Sequence, residues 1–156
     1  MRLIVAEENS LIERIQNWLT EEGLQNNKLE DKDVDANIAF WPNPLLKMHL
    51  LIKKDRITIV LSMLFRKESL DIVLSNPGRR NEFFKNLNLT LYQQVCEASQ
   101  QFDKKTGALT GLRVEKRMWQ ESLTKTSFFD AMLTVIHFGF IFGIKEQELI
   151  DSITNN

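Results

Sequence analysis

Few side chains in this sequence have the type and spacing that catalysis or metal binding requires. The two histidines, His49 and His137, lie far apart in the chain, and neither belongs to an HExxH motif. The single cysteine, Cys96, cannot form the paired spacing of a zinc site, and no motif around it indicates an activated nucleophile. We therefore predict no metal, no cofactor and no catalytic residue, and we expect Cys96 to be inert.

Phosphate and nucleic-acid chemistry also lack support. Gly107 and Gly111 do not form a GxxxxGK[ST] loop, so nucleotide binding is not indicated. The 20 Lys and Arg residues against 21 Asp and Glu residues give a net charge of -1. A nucleic-acid binder needs a concentrated basic surface, and here the basic doublets stand at element ends. We expect no nucleic-acid partner.

A length of 156 residues is that of one ordinary domain, which we predict to span residues 1–156. The apolar stretch at the N-terminus is too short for a signal peptide, so we expect a cytoplasmic protein. The stretch 128–144 is apolar enough to raise the question of a membrane span. It contains Asp130 and His137, however, and a charge within the bilayer is costly, so we favour a buried helix and no membrane partner.

Hydrophobic periodicity indicates where the elements lie that must position any site. Ser10 and Glu13 form a capping box before an amphipathic helix predicted over 11–22, which Gly23 ends. The polar segment 25–35 is predicted to be a loop.

Alternating patterns then predict an antiparallel meander of three strands. The segment 69–75 fits either a helix or a strand, and we favour the helix. A long helix is predicted from Pro77 to about Phe102, followed by a strand and by a last helix whose cap lies in 124–127. The predicted fold is α+β, with helices packed on an antiparallel sheet of four to five strands in the order α-β-β-β-α-β-α. The four predicted strands are 36–41, 48–52, 56–65 and 112–118.

Two helices carry more apolar surface than one core requires. On the long middle helix, Leu89, Tyr92 and Cys96 form a second stripe that we interpret as a dimer contact. The last helix is apolar except for one narrow stripe, so a subunit partner or a peptide is one candidate for covering it, and neighbouring helices of the same chain are the other. The polar stripe consists of Asp130, Thr134, His137, Lys145 and Glu148.

Aromatic residues near strand ends are candidates for partner contact. Met118 and Trp119 end one predicted strand, and Trp41 ends another before Pro42. Large aromatic residues dominate both cores and interface hot spots. We therefore treat these three residues as a hypothetical partner-binding set.

Two segments resemble a small archaeal family of uncharacterised proteins: 77–91, with Arg80, Glu82 and Phe83, and 115–131. The order of elements is similar to the type III secretion chaperone-like fold. This resemblance implies a protein that binds extended client segments as a homodimer, which is an inference from fold alone.

The sequence thus leads to two functional hypotheses. The first is a non-enzymatic, chaperone-like module that binds a client protein or peptide as a homodimer. The alternative is a small hydrolase or transferase with an unmarked site around His49 or His137. A deep polar pocket at either histidine would favour the enzyme, whereas an apolar groove or an open strand edge would favour the binding module.

Overall fold

Four α-helices and six β-strands form the chain in this computed structural model, which describes residues 2–94 and 96–154, with side chains for 10–90 and 96–154. The helices are α1 (Arg2–Glu21), α2 (Lys67–Ser75), α3 (Pro77–Gln94) and α4 (Lys125–Thr154). The strands are β1 (Gln25–Leu29), β2 (Ala36–Asn43), β3 (Leu46–Lys53), β4 (Arg56–Leu64), β5 (Glu97–Phe102) and β6 (Leu109–Trp119).

The strands form one antiparallel sheet in the order β1-β2-β3-β4-β6-β5. Its central hairpins are those that the alternating patterns predict: Leu50 pairs with Ile38 on one side and with Ile59 on the other. The α+β class is confirmed. The predicted strand count and order of elements are wrong, because the sheet has six strands and the chain adds two elements that the patterns did not indicate.

The two additional strands, β1 and β5, form the edges of the sheet. We predicted a loop at β1 and a continuation of the long helix through β5. Both strands are held by main-chain pairing, β1 to β2 and β5 to β6. Every residue except proline supplies that pairing, so a mostly exposed edge strand needs no apolar alternation and leaves little signal in its side chains.

Helix ends follow local chemistry in part. Gly23 has a φ of 72°, and the N–H of Leu24 donates to the carbonyl oxygen of Leu19 (2.8 Å), so the predicted glycine stop is confirmed. α1 nevertheless begins at Arg2, so Ser10 lies within the helix. The helix predicted over 69–75 is confirmed as α2. At Asn76, the side-chain oxygen accepts the N–H of Arg79 (3.1 Å) and caps α3.

The chain divides into two compact units, and β4, β6 and α4 contribute residues to both. One unit comprises residues 1–60 and 117–132. Its core is centred on Phe128, whose ring lies 6.1 Å from Trp18 and 6.3 Å from Phe40. Buried aliphatic side chains surround this cluster: Leu11, Ile15, Leu19, Ile38, Leu50, Ile52, Ile57 and Ile59.

The other unit comprises residues 61–116 and 133–156. Phe65 is at the centre of its core, with the ring of Phe142 at 5.3 Å and that of Phe83 at 5.8 Å. Within the sheet of this unit, Gly111 lies directly against the main chain of Met63 and Leu64. No larger residue fits there, because a Cβ would overlap the Met63 carbonyl oxygen.

Candidate functional site

The candidate site is an apolar surface on α4 that the described part of the chain leaves open. It consists of Leu133, Phe140 and Ile144, which are 57%, 66% and 58% exposed. We call these three residues the α4 outer face. At 100° per residue they fall within about 40° of one another. Val135, Phe138 and Phe142 lie on the opposite side of the helix and are buried, so α4 has two opposed apolar sides.

The start of α4 is set by a reciprocal cap. The N–H of Ser127 donates to the Thr124 hydroxyl oxygen (3.0 Å), and the N–H of Thr124 donates to the Ser127 hydroxyl oxygen (2.9 Å). This pairing satisfies backbone donors that have no partner within the helix. The predicted cap region 124–127 is thereby confirmed, and Lys125 is the first helical residue.

A buried carboxylate near the other end fixes the rotation of α4. Glu146 is 4% exposed and accepts hydrogen bonds from the N–H of Arg66 (2.9 Å) and from the hydroxyl of Ser69. Both donors lie at the start of α2, where a negative charge is favoured by the helix dipole. Because Glu146 and Phe142 point inward, Leu133, Phe140 and Ile144 are held outward.

The α4 outer face offers apolar side chains for contact. The three side chains of the α4 outer face carry no ionisable or nucleophilic group. The polar stripe predicted beside them is present, with Asp130, His137 and Glu148 exposed. Within the described residues, Leu133, Phe140 and Ile144 stay more than half exposed, so the described helices do not cover the α4 outer face.

The hypothetical partner-binding residues do not form one surface. Trp119 is 54% exposed and lies beside Lys53, Lys54 and Arg56, at the hairpin that joins β3 to β4. Trp41 lies near the other end of β3, where the Lys47 ammonium is 5.5 Å from its ring centre. Met118 precedes Trp119 in the same strand, so its side chain points to the opposite face of the sheet.

The hypothetical dimer stripe is also divided. Leu89 is on α3 and 59% exposed, but α3 ends at Gln94, so Cys96 lies beyond the helix and the prediction that it is helical is wrong. The side chain of Tyr92 lies outside the described residues. Burial raises the pKa of the Cys96 thiol, and Lys116 opposes that effect more weakly. The larger of the two effects, burial, disfavours the reactive thiolate.

Neither histidine lines the two grooves found beside α3. On β3, Nδ1 of His49 lies 3.0 Å from Oδ1 of Asn37, whose amide donates to Asp31 (3.0 Å). On α4, His137 is exposed. A groove of 380 Å³ between α3 and α4 and one of 510 Å³ beside β5 are lined by other residues. Within the described chain, no three His, Cys, Asp or Glu side chains gather where they could hold a metal ion.

Similarity to known proteins identifies the family. The sequence pattern of a family described as an uncharacterized conserved protein (DUF2299) matches residues 11–154. The chain belongs to this family. No curated protein matches it in sequence. Membership in DUF2299 confirms the predicted resemblance at the level of an uncharacterised family.

The fold of this DUF2299 chain is similar to a solved structure, the crystal structure of an uncharacterized protein from Methanothermobacter thermautotrophicus. The similarity has a TM-score of 0.75 at 18% sequence identity, and covers 87% of this chain and 96% of the other. At this identity the comparison establishes the fold alone. The neighbour is an archaeal protein, as the resemblance predicted.

Sequence reasoning missed two features of the site in this DUF2299 chain. The first is which residues of α4 point outward. Leu133, Phe140 and Ile144 are spaced by seven and four residues, and this spacing is a detectable signal for one face of a helix. The second is Glu146, which left no signal, since its partners are distant in sequence.

By length and composition α4 is the one described helix that could cross a membrane, a test that core helices of soluble proteins also pass.

Proposed function

We propose that this DUF2299 protein is a non-enzymatic module that binds protein or peptide partners and acts as a homodimer. One observation carries the proposal: the three side chains of the α4 outer face are apolar, lie on one side of the helix and are more than half exposed, with the exposed His137 between Leu133 and Phe140. Covering the exposed parts of its three side chains contributes about 1 kcal/mol or more each. A soluble protein rarely leaves such a surface open without a use for it.

A second copy is a suitable occupant because the face is self-complementary. Leu133 and Ile144 are separated by about three helical turns, with Phe140 between them. When two copies of α4 pack antiparallel, Leu133 of one lies opposite Ile144 of the other, and the same pair recurs by symmetry. In this register Phe140 of each copy lies opposite His137 of the other, so Leu133–Ile144 pairs form the two ends of the contact and aromatic–imidazole pairs form its centre.

The chaperone-like part of the proposal rests on the fold class. Helices on an antiparallel sheet are also the architecture of the type III secretion chaperone-like fold, which the order of elements first suggested. We infer a similar adaptor role, in which the dimer holds a segment of a client protein. Function argued from fold is an analogy, so the decisive support comes from the α4 outer face.

Light scattering after size-exclusion chromatography tests the homodimer. The wild-type chain should have the mass of a dimer at tens of micromolar, and Phe140→Glu should have the mass of a monomer, because it places a charge within the contact. Leu45→Glu is the matched control. Leu45 is 98% exposed in the turn between β2 and β3, so the same change there should leave the dimer intact.

A monomeric wild-type chain at high micromolar concentration would contradict the homodimer, as would a Phe140→Glu variant that stays dimeric. Vesicles of neutral phosphatidylcholine provide a further comparison. Co-sedimentation of the wild-type chain with these vesicles, lost in Phe140→Glu, would assign the α4 outer face to a lipid surface instead.

A further inference from the structure

A second open surface lies between α3 and the sheet edge. It is a groove of 510 Å³ whose lining includes Arg80, Phe84, Lys85 and Leu89 from α3 and Gln100 from β5. Lys85 and Leu89 are exposed, and the Arg80 guanidinium lies 6.0 Å from the centre of the Phe84 ring. The groove therefore has an apolar floor with cations beside it.

The wall opposite α3 is an open strand edge. β5 is the last strand of the sheet, and in the described chain it pairs with β6 alone. Such an edge presents main-chain donors and acceptors to an added strand. Nη2 of Arg80 donates to Oε1 of Gln100 (3.1 Å), which ties the helix side of the groove to this strand.

We propose that this groove binds an extended, acidic peptide segment, which adds to the sheet as a strand beside β5. The segment would form main-chain hydrogen bonds with β5, and every second side chain would point to the α3 side. There, carboxylates would meet Arg80 and Lys85, and an apolar side chain would cover Phe84 and Leu89. This inference rests on the proposed binding function and adds the location and the chemistry of the client.

Charge selects this occupant. Among the described residues, the groove lining contains two cations, three amide side chains and no acidic side chain. Two cations in a lining without an acidic side chain favour an acidic partner and disfavour a basic one. A second copy that added its own β5 by antiparallel two-fold pairing would place Ala98 and Gln100 on the α3 side. Neither is acidic, so edge-to-edge self-association leaves Arg80 and Lys85 without a counter-charge.

Selection from a library of displayed twelve-residue peptides against the full chain tests the proposal. The enriched peptides should carry Asp or Glu at alternate positions. Fluorescein-labelled synthetic copies should bind the wild-type chain and lose at least tenfold in affinity for the double variant Arg80→Glu, Lys85→Glu. N-methylation of the peptide main chain at one alternate set of positions should abolish binding, because those N–H groups pair with β5.

The matched control is the double variant Lys104→Glu, Lys105→Glu. Both lysines are exposed in the turn after β5, so this variant has the same change in net charge away from the groove. Its affinity should stay within twofold of wild type. Because Arg80 contacts Phe84 and Gln100, the single variant Lys85→Glu provides a milder test, with an expected loss of at least threefold. Circular dichroism verifies that each variant folds.

Three results would overturn the proposal: enrichment of neutral or basic peptides, equal losses in the two double variants, or no enriched peptide. The proposed function fails separately. A chain that is dimeric but selects no acidic peptide keeps the homodimer and loses this groove. A chain that is monomeric but binds acidic peptides through Arg80 and Lys85 has the groove without the dimer.

Discussion

Two carboxylates in this protein have similar chemistry and different surroundings. Glu146 is buried and accepts hydrogen bonds from the start of α2, whereas Asp31 is partly exposed in the loop between β1 and β2. Each satisfies backbone donors that the main chain leaves without a partner. How much each carboxylate stabilises the fold therefore depends on which donors it accepts from, and on whether water can accept from those donors instead.

We expect Glu146→Ala to lower the free energy of unfolding by about 2 kcal/mol, because the Arg66 N–H and the buried Ser69 hydroxyl lose a charged acceptor. Glu146→Gln should cost less, since its amide oxygen still accepts one bond. Urea unfolding measures both. Glu148→Gln on the exposed side of α4 is the control, and equal losses at 146 and 148 would contradict the proposed capping role.

The pKa of Asp31 lies below its ordinary value because its carboxylate accepts the N–H of Asp33 first and the Asn37 amide second. A lowered pKa in the folded state means that ionised Asp31 stabilises the fold above its unfolded pKa of about 3.9. That contribution is lost as the pH falls through the lower folded value. Carboxyl NMR titration should show this midpoint, and Asn37→Ala should raise it only partly.

The comparison for Asp31 is the same carboxyl in urea-unfolded protein. A folded midpoint equal to or above the unfolded one would contradict the contacts described for Asp31. If Asn37→Ala alone restored the pKa of the unfolded state, the Asn37 amide and not the Asp33 N–H would be the larger cause of the lowered pKa.

The elements of this fold tolerate glycine replacement very differently. Gly111 on β6 lies against the β4 main chain, with a Cβ position 3.0 Å from Cα of Leu64, whereas nothing lies within 4 Å of a Cβ placed on Gly143 in α4. Neighbouring main chain cannot move aside for an added Cβ as the end of a flexible side chain can. The two sites therefore provide opposite tests of how the elements are packed.

We expect Gly111→Ala to destabilise the fold by more than about 3 kcal/mol or to prevent soluble expression, because β4 and β6 must separate. Gly143→Ala should stabilise it by up to about 1 kcal/mol through helix propensity. Thermal unfolding of the pair measures both signs. A Gly111→Ala variant as stable as wild type would show that the two strands are not in the close contact described.

At the scale of the molecule, the described residues leave two kinds of surface open: the α4 outer face and the edges of the sheet. A monomer leaves the apolar side chains of the α4 outer face and the main-chain groups of the sheet edges exposed to water, and association covers them. The fold is shared with an archaeal protein at only 18% identity, so many side chains differ while the architecture persists. Whether the relatives share these two surfaces decides whether the proposed functions extend through the family.

If the homodimer forms through the α4 outer face, the melting temperature must depend on protein concentration. Association stabilises the folded state by mass action, so a hundredfold rise in concentration should raise the melting temperature by a few degrees. Phe140→Glu should lose this dependence, and Leu45→Glu should retain it. A melting temperature that is independent of concentration in the wild-type chain would contradict a dimer coupled to folding.

The sequence alone determined those features that depend on neighbouring residues. Alternating side chains predicted β2, β3 and β4, Gly23 predicted the end of α1, and 124–127 predicted the start of α4. Each depends on contacts within a few residues, so the local pattern is sufficient.

Only the tertiary structure decided what depends on distant pairing. β1 and β5 exist because neighbouring strands supply hydrogen bonds, and their side chains show no apolar alternation. The same applies to the candidate surfaces: the sequence showed that α4 is apolar nearly all round, but not which side the core would cover. Glu146 and the buried phenylalanines settle that choice, because burial depends on residues brought together from distant parts of the chain.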